Sequence, residues 1–380
     1  MAVRKRIWTT KNGRRESWVL DYYDQHGDRH TETYARKRDA EARQAAVQVD
    51  IRAGIHTATS KSITLAEAAA DWIAGVELER RERSTIAQYR QHADLHILPR
   101  LGYERLSALT APRITLFRDE LLAAVSRPLA RKVLTSLKSI LSDAQKRGNV
   151  AQNVSLAVSI GPDKRGKGKL KVDVDIPTPD EIKRIFAAAT GRARPIIITA
   201  TFTGIRGSEL RGLRWIDVDL KRGELHVRQR ADRYNVIGTP KSEAGERVVP
   251  IGPLVTNTLR EWKLACPRSK LGLVFPTGRG NIIRHENLIR QIWMPAQIAA
   301  GVVTKTGNAA KYSGLHALRH FYASWCINRR ADGGLELPLK VVQERLGHAS
   351  VNLTADVYGH LFPRGDDGAE LAAAERLFLT

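Results

Sequence analysis

The sequence predicts a mainly α-helical chain with small β elements, an α+β arrangement. Long segments repeat apolar residues at helical spacing, and short aromatic and β-branched runs gather near the N-terminus. A Gly-, Lys- and Pro-rich stretch divides the helical part in two. Residues 1–57 read as three strands and a helix. KRIWTT, ESWVLDYYD and DRHTETYA supply the strands, with Asn12-Gly13 and Gly27-Asp28 at the turns. KRDAEARQAAVQVDIRAG has helical composition and stops near Gly54. Such a unit has a small core, and its outer face is rich in Arg, Lys and Thr. It is either a DNA-groove reader or a solvated module.

Residues 62–160 predict a four-helix bundle. TLAEAAADWIAG follows the cap residues Ser62 and Thr64, and STIAQYRQHADLHILPRLG ends at Pro99 and Gly102. LTAPRITLFRDELLAA carries Pro112 near its start, where a helix tolerates it. In the last helix Val133, Leu134, Leu137, Ile140 and Leu141 form a stripe. Residues 161–177, GPDKRGKGKLKVDVDIP, have no periodicity and read as a basic linker. Residues 178–380 form the largest unit. It opens on a capping box, Thr178 and Glu181, and is mostly helical with one β insertion. In that insertion GELHVRQR and ERVVPI flank a polar turn with Lys241 at the hairpin tip.

Charge narrows the function. The chain of 380 residues has 62 Lys and Arg against 40 Asp and Glu, a formal net charge of +22. The excess is positive in every predicted unit, which points to several domains sharing one polyanionic partner, nucleic acid first. An anionic membrane surface fits less well, because no basic amphipathic helix with large apolar anchors stands out. The most apolar run, Pro195 to Phe202, is far shorter than a membrane span, and no signal peptide is evident. Two cysteines, Cys266 and Cys326, point to a reducing cytoplasm rather than a disulfide framework.

Four segments of the last unit carry chemistry. In FTGIRGSELRGLRW, Gly204 permits a tight turn and Ser208 suits a helix start, which places Arg206 where an anion is favoured. In TPKSEAGERVVPI, Lys241 sits on a short turn. In LHALRHFYASWC, Leu315, Leu318, Tyr322 and Trp325 make a buried stripe. His316 and Arg319, three residues apart, share a neighbouring face, and His320 reads as structural, pointing elsewhere. In ERLGHASVNLTADVYGHLFP, Gly347 ends one helix, Ser350 or Asn352 starts the next, and Tyr358 falls on it ten residues after His348.

The ordered series Arg206, Lys241, His316, Arg319, His348 and Tyr358 resembles the active-site pattern of the tyrosine recombinase, or phage integrase, family. The strings TGIRGSEL, LHALRH, LGHAS and VYGH resemble it too, and the resemblance extends over essentially the whole chain. Residues 1–57 resemble an arm-type DNA-binding domain, 62–160 a core-binding domain and 178–380 the catalytic domain. The resemblance implies a site-specific integrase acting on double-stranded attachment sites as a homotetramer, with a DNA-bending host factor and an excisionase as further partners. Tyr358 would attack a phosphodiester in line, giving a 3′-phosphotyrosine and a 5′-hydroxyl. Arg206, Arg319 and His348 would hold the non-bridging oxygens, and the guanidiniums would favour the phenolate. His316 would accept or orient the phenol proton, and Lys241 would protonate the leaving oxygen. Glu209 would orient Arg206. The phosphotyrosine conserves bond energy, so no ATP, cofactor or metal is expected.

A type IB topoisomerase, a DNA-binding regulator that keeps the fold and a cell-division recombinase are the alternatives. Relaxation of arbitrary supercoiled DNA separates the first. The intact polar set disfavours the second, and the N-terminal module disfavours the third. The Ala- and Leu-rich end, GAELAAAERLFLT, reads as a helix docking either on a neighbouring protomer or on its own domain.

Overall fold

The computed structural model describes residues 1–380 apart from 12, 25, 26, 55, 57, 59–61, 162–168, 363–366 and 380. The chain divides into two units, Met1–Gly166 and Lys167–Thr380.

The first unit begins with an antiparallel meander of β1 (Ala2–Thr10), β2 (Gly13–Tyr23) and β3 (Arg29–Tyr34), followed by α1 (Lys37–Arg52). Of the first turn dipeptide, Asn12 lies outside the described residues, while Gly13 has φ +107°. Leu20 and Tyr22 of β2 meet Val47 of α1 in a small core of their own.

The helices α2 (Leu65–Leu78), α3 (Arg83–His92), α4 (Leu98–Leu101), α5 (Ala111–Ala124) and α6 (Arg127–Lys146) enclose a second core. Thr64 caps α2 in a reciprocal box with Glu67. Ser62 does not cap it; its Oγ accepts from the Ser107 amide. The predicted stop at Pro99 is passed. A π turn over Ala93–Ile97 joins α3 to α4, placing Pro99 at the start of α4, where its missing N–H costs little. The α6 stripe from Val133 to Leu141 is buried as its spacing predicts.

Residues 162–168 of the predicted linker lie outside the described residues, and the segment after them is not a free tether. Ile176 is buried in the core of the second unit, and Lys311 Nζ donates to Asp173 at 2.6 Å. His360 Nε2 donates to the Leu170 carbonyl at 2.7 Å. Apolar residues within the basic stretch anchor it.

In the second unit α7 (Pro179–Ala188) starts at the predicted Thr178–Glu181 capping box. The run Pro195 to Phe202 lies in α8 (Ala193–Thr203), which is apolar on most sides because it runs through the core. After α9 (Gly207–Gly212) come β4 (Val218–Asp219), β5 (Glu224–Val227), β6 (Arg230–Ala231), β7 (Ile237–Gly238) and β8 (Arg247–Pro250).

The order β4-β5-β8 makes one antiparallel sheet, and β6-β7 a separate ribbon. Lys241 is therefore not at a hairpin tip. The tip is the turn Asp232–Val236, where Asp232 Oδ1 accepts from the Tyr234 and Val236 amides and Asn235 adopts φ +62°. Lys241 lies exposed on the connection from β7 to β8.

Helices α10 (Pro253–Ala265), α11 (His285–Leu288), α12 (Met294–Ala299), α13 (His316–Ile327), α14 (Leu339–Leu346), α15 (Val351–Tyr358) and α16 (Asp367–Leu379) complete the unit. Among the described residues no helix is long and apolar enough to cross a membrane.

Candidate active site

Three helix ends and one helix face bring distant residues together. Gly204 ends α8 at φ +60°, and a Cβ there would lie 2.3 Å from the Tyr322 ring, so the tight turn requires glycine. Arg206 is the N-cap of α9, and Ser208 lies in its first turn. Gly347 ends α14 at φ +64°, and Ser350 Oγ then caps α15 by accepting from the Leu353 amide. A Cβ on Gly347 would lie 2.8 Å from the Ala244 carbonyl, so the connection carrying Lys241 passes close to this turn.

Two guanidiniums tie these ends together. Arg206 Nη2 donates to the Gly347 carbonyl at 2.8 Å. Arg319, only 2% exposed on α13, donates to the carbonyls of Gly204 at 2.7 Å and Leu346 at 2.6 Å. Each guanidinium has five N–H donors, so these bonds leave others for an anion.

Arg206 is itself held by Glu209, whose Oε1 accepts from Nη1 at 2.8 Å and whose Oε2 accepts from the backbone amide at 2.9 Å. Glu209 also accepts from Arg247 Nη2 at 2.9 Å. Burial alone would raise the Glu209 carboxyl, but Arg247 and then Arg206 outweigh it and hold it ionised, below the usual value.

Tyr358 is the last residue of α15 and is 1% exposed, packed against Tyr322, Cys326 and Leu346. Its ring lies parallel to that of His348 with centroids 6.2 Å apart. His348 is buried, with Nδ1 2.8 Å from Thr354 Oγ1.

The chemistry of this cluster is that of anion capture beside a phenol. Residues 177–364 match the phage integrase family. The chain is a tyrosine recombinase of that family.

The recombinase is 26% identical to a tyrosine recombinase XerC-like protein of Caldanaerobacter subterraneus subsp. tengcongensis, over 86% of this chain and 87% of that one. Its fold resembles that of the Tn1549 transposon integrase in complex with a circular intermediate DNA. The TM-score is 0.65 at 17% identity, covering 83% of this chain and all of that one. It also resembles a lambda integrase tetramer bound to a Holliday junction, with a TM-score of 0.57 at 18% identity, covering 90% and 95%. As a member of its family it is an enzyme that breaks and rejoins DNA strands.

Electrostatics modifies the expected chemistry of the recombinase. Burial pushes the Tyr358 phenol up to about 12, against the opposite pull of Arg319 and Arg206. The guanidiniums are near enough to act on the hydroxyl within one chain, but burial wins, and the phenol is protonated rather than poised as phenolate. Burial and then Arg319 and Arg206 press the His348 imidazole down to about 4, leaving it neutral. His316 is open to solvent at its edge. Lost hydration, then Arg319 and Arg206, hold it below the usual histidine value. Burial and then Arg206 lower Arg319 to about 9, so it remains charged at neutral pH.

Sequence reasoning missed two residues of the recombinase. Arg247 is nearly buried and donates to Glu209, Arg345 and Gly245. Its signal was a basic residue at the start of an otherwise apolar strand, VVPI. His320 does not point elsewhere: its Nδ1 lies 2.8 Å from the Tyr358 hydroxyl, and its ring meets that of His316 edge-on at 4.7 Å. Its signal was the four-residue spacing from His316, which puts both on one helix face.

Proposed function

We propose that this recombinase is the integrase of a phage or another mobile element, joining and excising DNA at attachment sites through Tyr358. The observation that carries the reading is the convergence of Tyr358, Arg319 and Arg206 from three distant segments of a single chain: both guanidiniums act electrostatically on the phenol, and they hold the adjacent carbonyls of Leu346 and Gly347.

In this reading the spare guanidinium donors of Arg206 and Arg319 bind the non-bridging oxygens of the scissile phosphate. His348, fixed by Thr354, adds a donor on the same side. Tyr358 attacks phosphorus, and Lys241 gives a proton to the departing 5′-oxygen. The 3′-phosphotyrosine then yields to a new 5′-hydroxyl.

The Lys- and Arg-rich surfaces of residues 1–57 and 62–160 supply arm-type and core-type DNA contacts. Four protomers act on two sites in the bacterial cytoplasm, on the nucleoid, assisted by a DNA-bending factor and an excisionase. The lambda integrase tetramer on a Holliday junction supports this stoichiometry.

The test is a nicked duplex carrying the element's own junction, in which cleavage releases a short strand that cannot religate. A covalent protein–DNA adduct is expected, and Tyr358→Phe removes it without loss of DNA affinity. An adduct that persists in Tyr358→Phe overturns the reading.

A further inference from the structure

We propose that His320 is a further catalytic residue, the group that orients the Tyr358 hydroxyl and receives its proton during attack. This rests on the reading of Tyr358 as the nucleophile.

Three observations carry it. The hydroxyl of Tyr358 has a hydrogen-bond partner within its own chain, His320 Nδ1, at 2.8 Å with ring centroids 5.7 Å apart. His316, which otherwise suits the proton-accepting role, contacts His320 edge-on. His348, the other neighbour, lies parallel to the Tyr358 ring with centroids 6.2 Å apart and has its Nδ1 engaged by Thr354. A parallel ring fixes the plane of the phenol, whereas a hydrogen bond from the hydroxyl fixes its torsion. The two histidines therefore hold Tyr358 in complementary ways.

The charge state suits the role. Burial, then His316 and Arg319, press His320 down to about 4, opposed by Asp175 from the segment before α7. The ring is neutral at working pH, and in the tautomer that carries its proton on Nε2 the Nδ1 accepts from the phenol. The groups facing it are His316 and Arg319 on its own helix, Tyr358 on α15 and Asp175. A phenol near 12 does not ionise beforehand onto so weak a base, so the proton moves with bond formation.

The step balances. The Tyr358 Oη–P bond forms as the P–O5′ bond breaks, the phenolic proton passes to His320 Nδ1, and O5′ takes a proton from Lys241. In religation the incoming 5′-hydroxyl returns its proton to Lys241, and His320 returns the other to the phenol oxygen.

The test compares two substitutions of nearly equal shape. Asparagine places an amide oxygen close to the position of Nδ1, and leucine offers none. His320 is only partly buried, so both side chains can be accommodated.

Single-turnover adduct formation is followed on the nicked junction duplex at saturating protein, with binding measured by gel shift. His320→Leu should slow adduct formation about a hundredfold at unchanged DNA affinity. His320→Asn should recover about tenfold of that loss and flatten the acidic limb of the pH profile. The proposal is overturned if His320→Leu stays within about threefold of the unsubstituted recombinase, or if His320→Asn restores the parent's rate, because an amide oxygen orients the phenol but takes up no proton. Tyr358→Phe, run alongside, separates failure of this inference from failure of the nucleophile assignment. Loss of adduct there with a normal rate in His320→Leu rejects His320 alone.

Discussion

Arg206 donates from Nη2 to the carbonyl of Gly347 at 2.8 Å, joining the start of α9 to the turn before α15 across 141 residues of chain. Arg319 grips the adjacent carbonyl of Leu346. The same arginines that would clamp a phosphate therefore also close the pocket wall that carries His348 and leads to Tyr358. On the proposed reading, phosphate binding would be linked to the placement of Tyr358 through two consecutive peptide groups.

Arg247 should matter to both stability and rate. Its partner Glu209 is 3% exposed and would keep only Arg206, and losing a hydrogen bond to a charged group typically costs about 1.5–3 kcal/mol. Arg247→Met is expected to lower the urea midpoint accordingly. It should also slow adduct formation, because Glu209 then holds Arg206 without its counterweight. Unchanged unfolding and cleavage would remove Arg247 from the account.

Lys241 should act on the leaving group. Lys241→Ala is expected to slow cleavage of an ordinary phosphodiester by about 10²–10⁴. A substrate whose 5′-bridging oxygen is replaced by sulfur leaves without protonation, so the variant should cleave it nearly as fast as the parent. An equal deficit on both substrates would assign Lys241 to binding instead.

Much of this was legible in the chain. Thr178, Thr64 of the pair Ser62 and Thr64, and Ser350 of the alternatives Ser350 and Asn352 marked helix starts because a cap is a local hydrogen bond, and the α6 stripe was legible because burial follows helical period. Of the ordered polar series, the structure brings Arg206, Arg319, His348 and Tyr358 near one another. What local pattern could not show was depth. The Tyr358 phenol is governed by burial that depends on α13 and α14, and the Glu209–Arg247 pair joins residues 38 apart. Lys241 was misplaced because the turn at Asp232–Asn235 forms an extra ribbon inside the insertion. The basic linker hid an apolar anchor, Ile176, whose partners lie far along the sequence.

Stability should fall in mild acid. His348 and His320 titrate near 4 when folded, below the ordinary 6.5. As pH drops below 6.5 the unfolded chain takes up their protons first, so stability present above 6.5 is lost toward 4. The thermal midpoint is expected to decline over that window, before the depressed Glu209 carboxyl titrates. His348→Asn should make the decline shallower; an identical slope would contradict the assignment.

The exposed apolar residues Leu371, Leu377, Phe378 and Leu379 of α16 suit docking on a neighbouring protomer. Deleting residues 367–380 should weaken paired-site assembly in a gel shift while single-site affinity holds. Unaltered assembly would place the helix outside the protomer interface.

In the proposed reaction Tyr358 becomes joined to DNA. Trypsin cleavage after Arg345 and Arg364 yields a peptide, residues 346–364, whose only tyrosine is Tyr358. Mass spectrometry of the digested adduct should find the nucleotide mass on that peptide, at Tyr358. A nucleotide carried by any other residue would contradict the account.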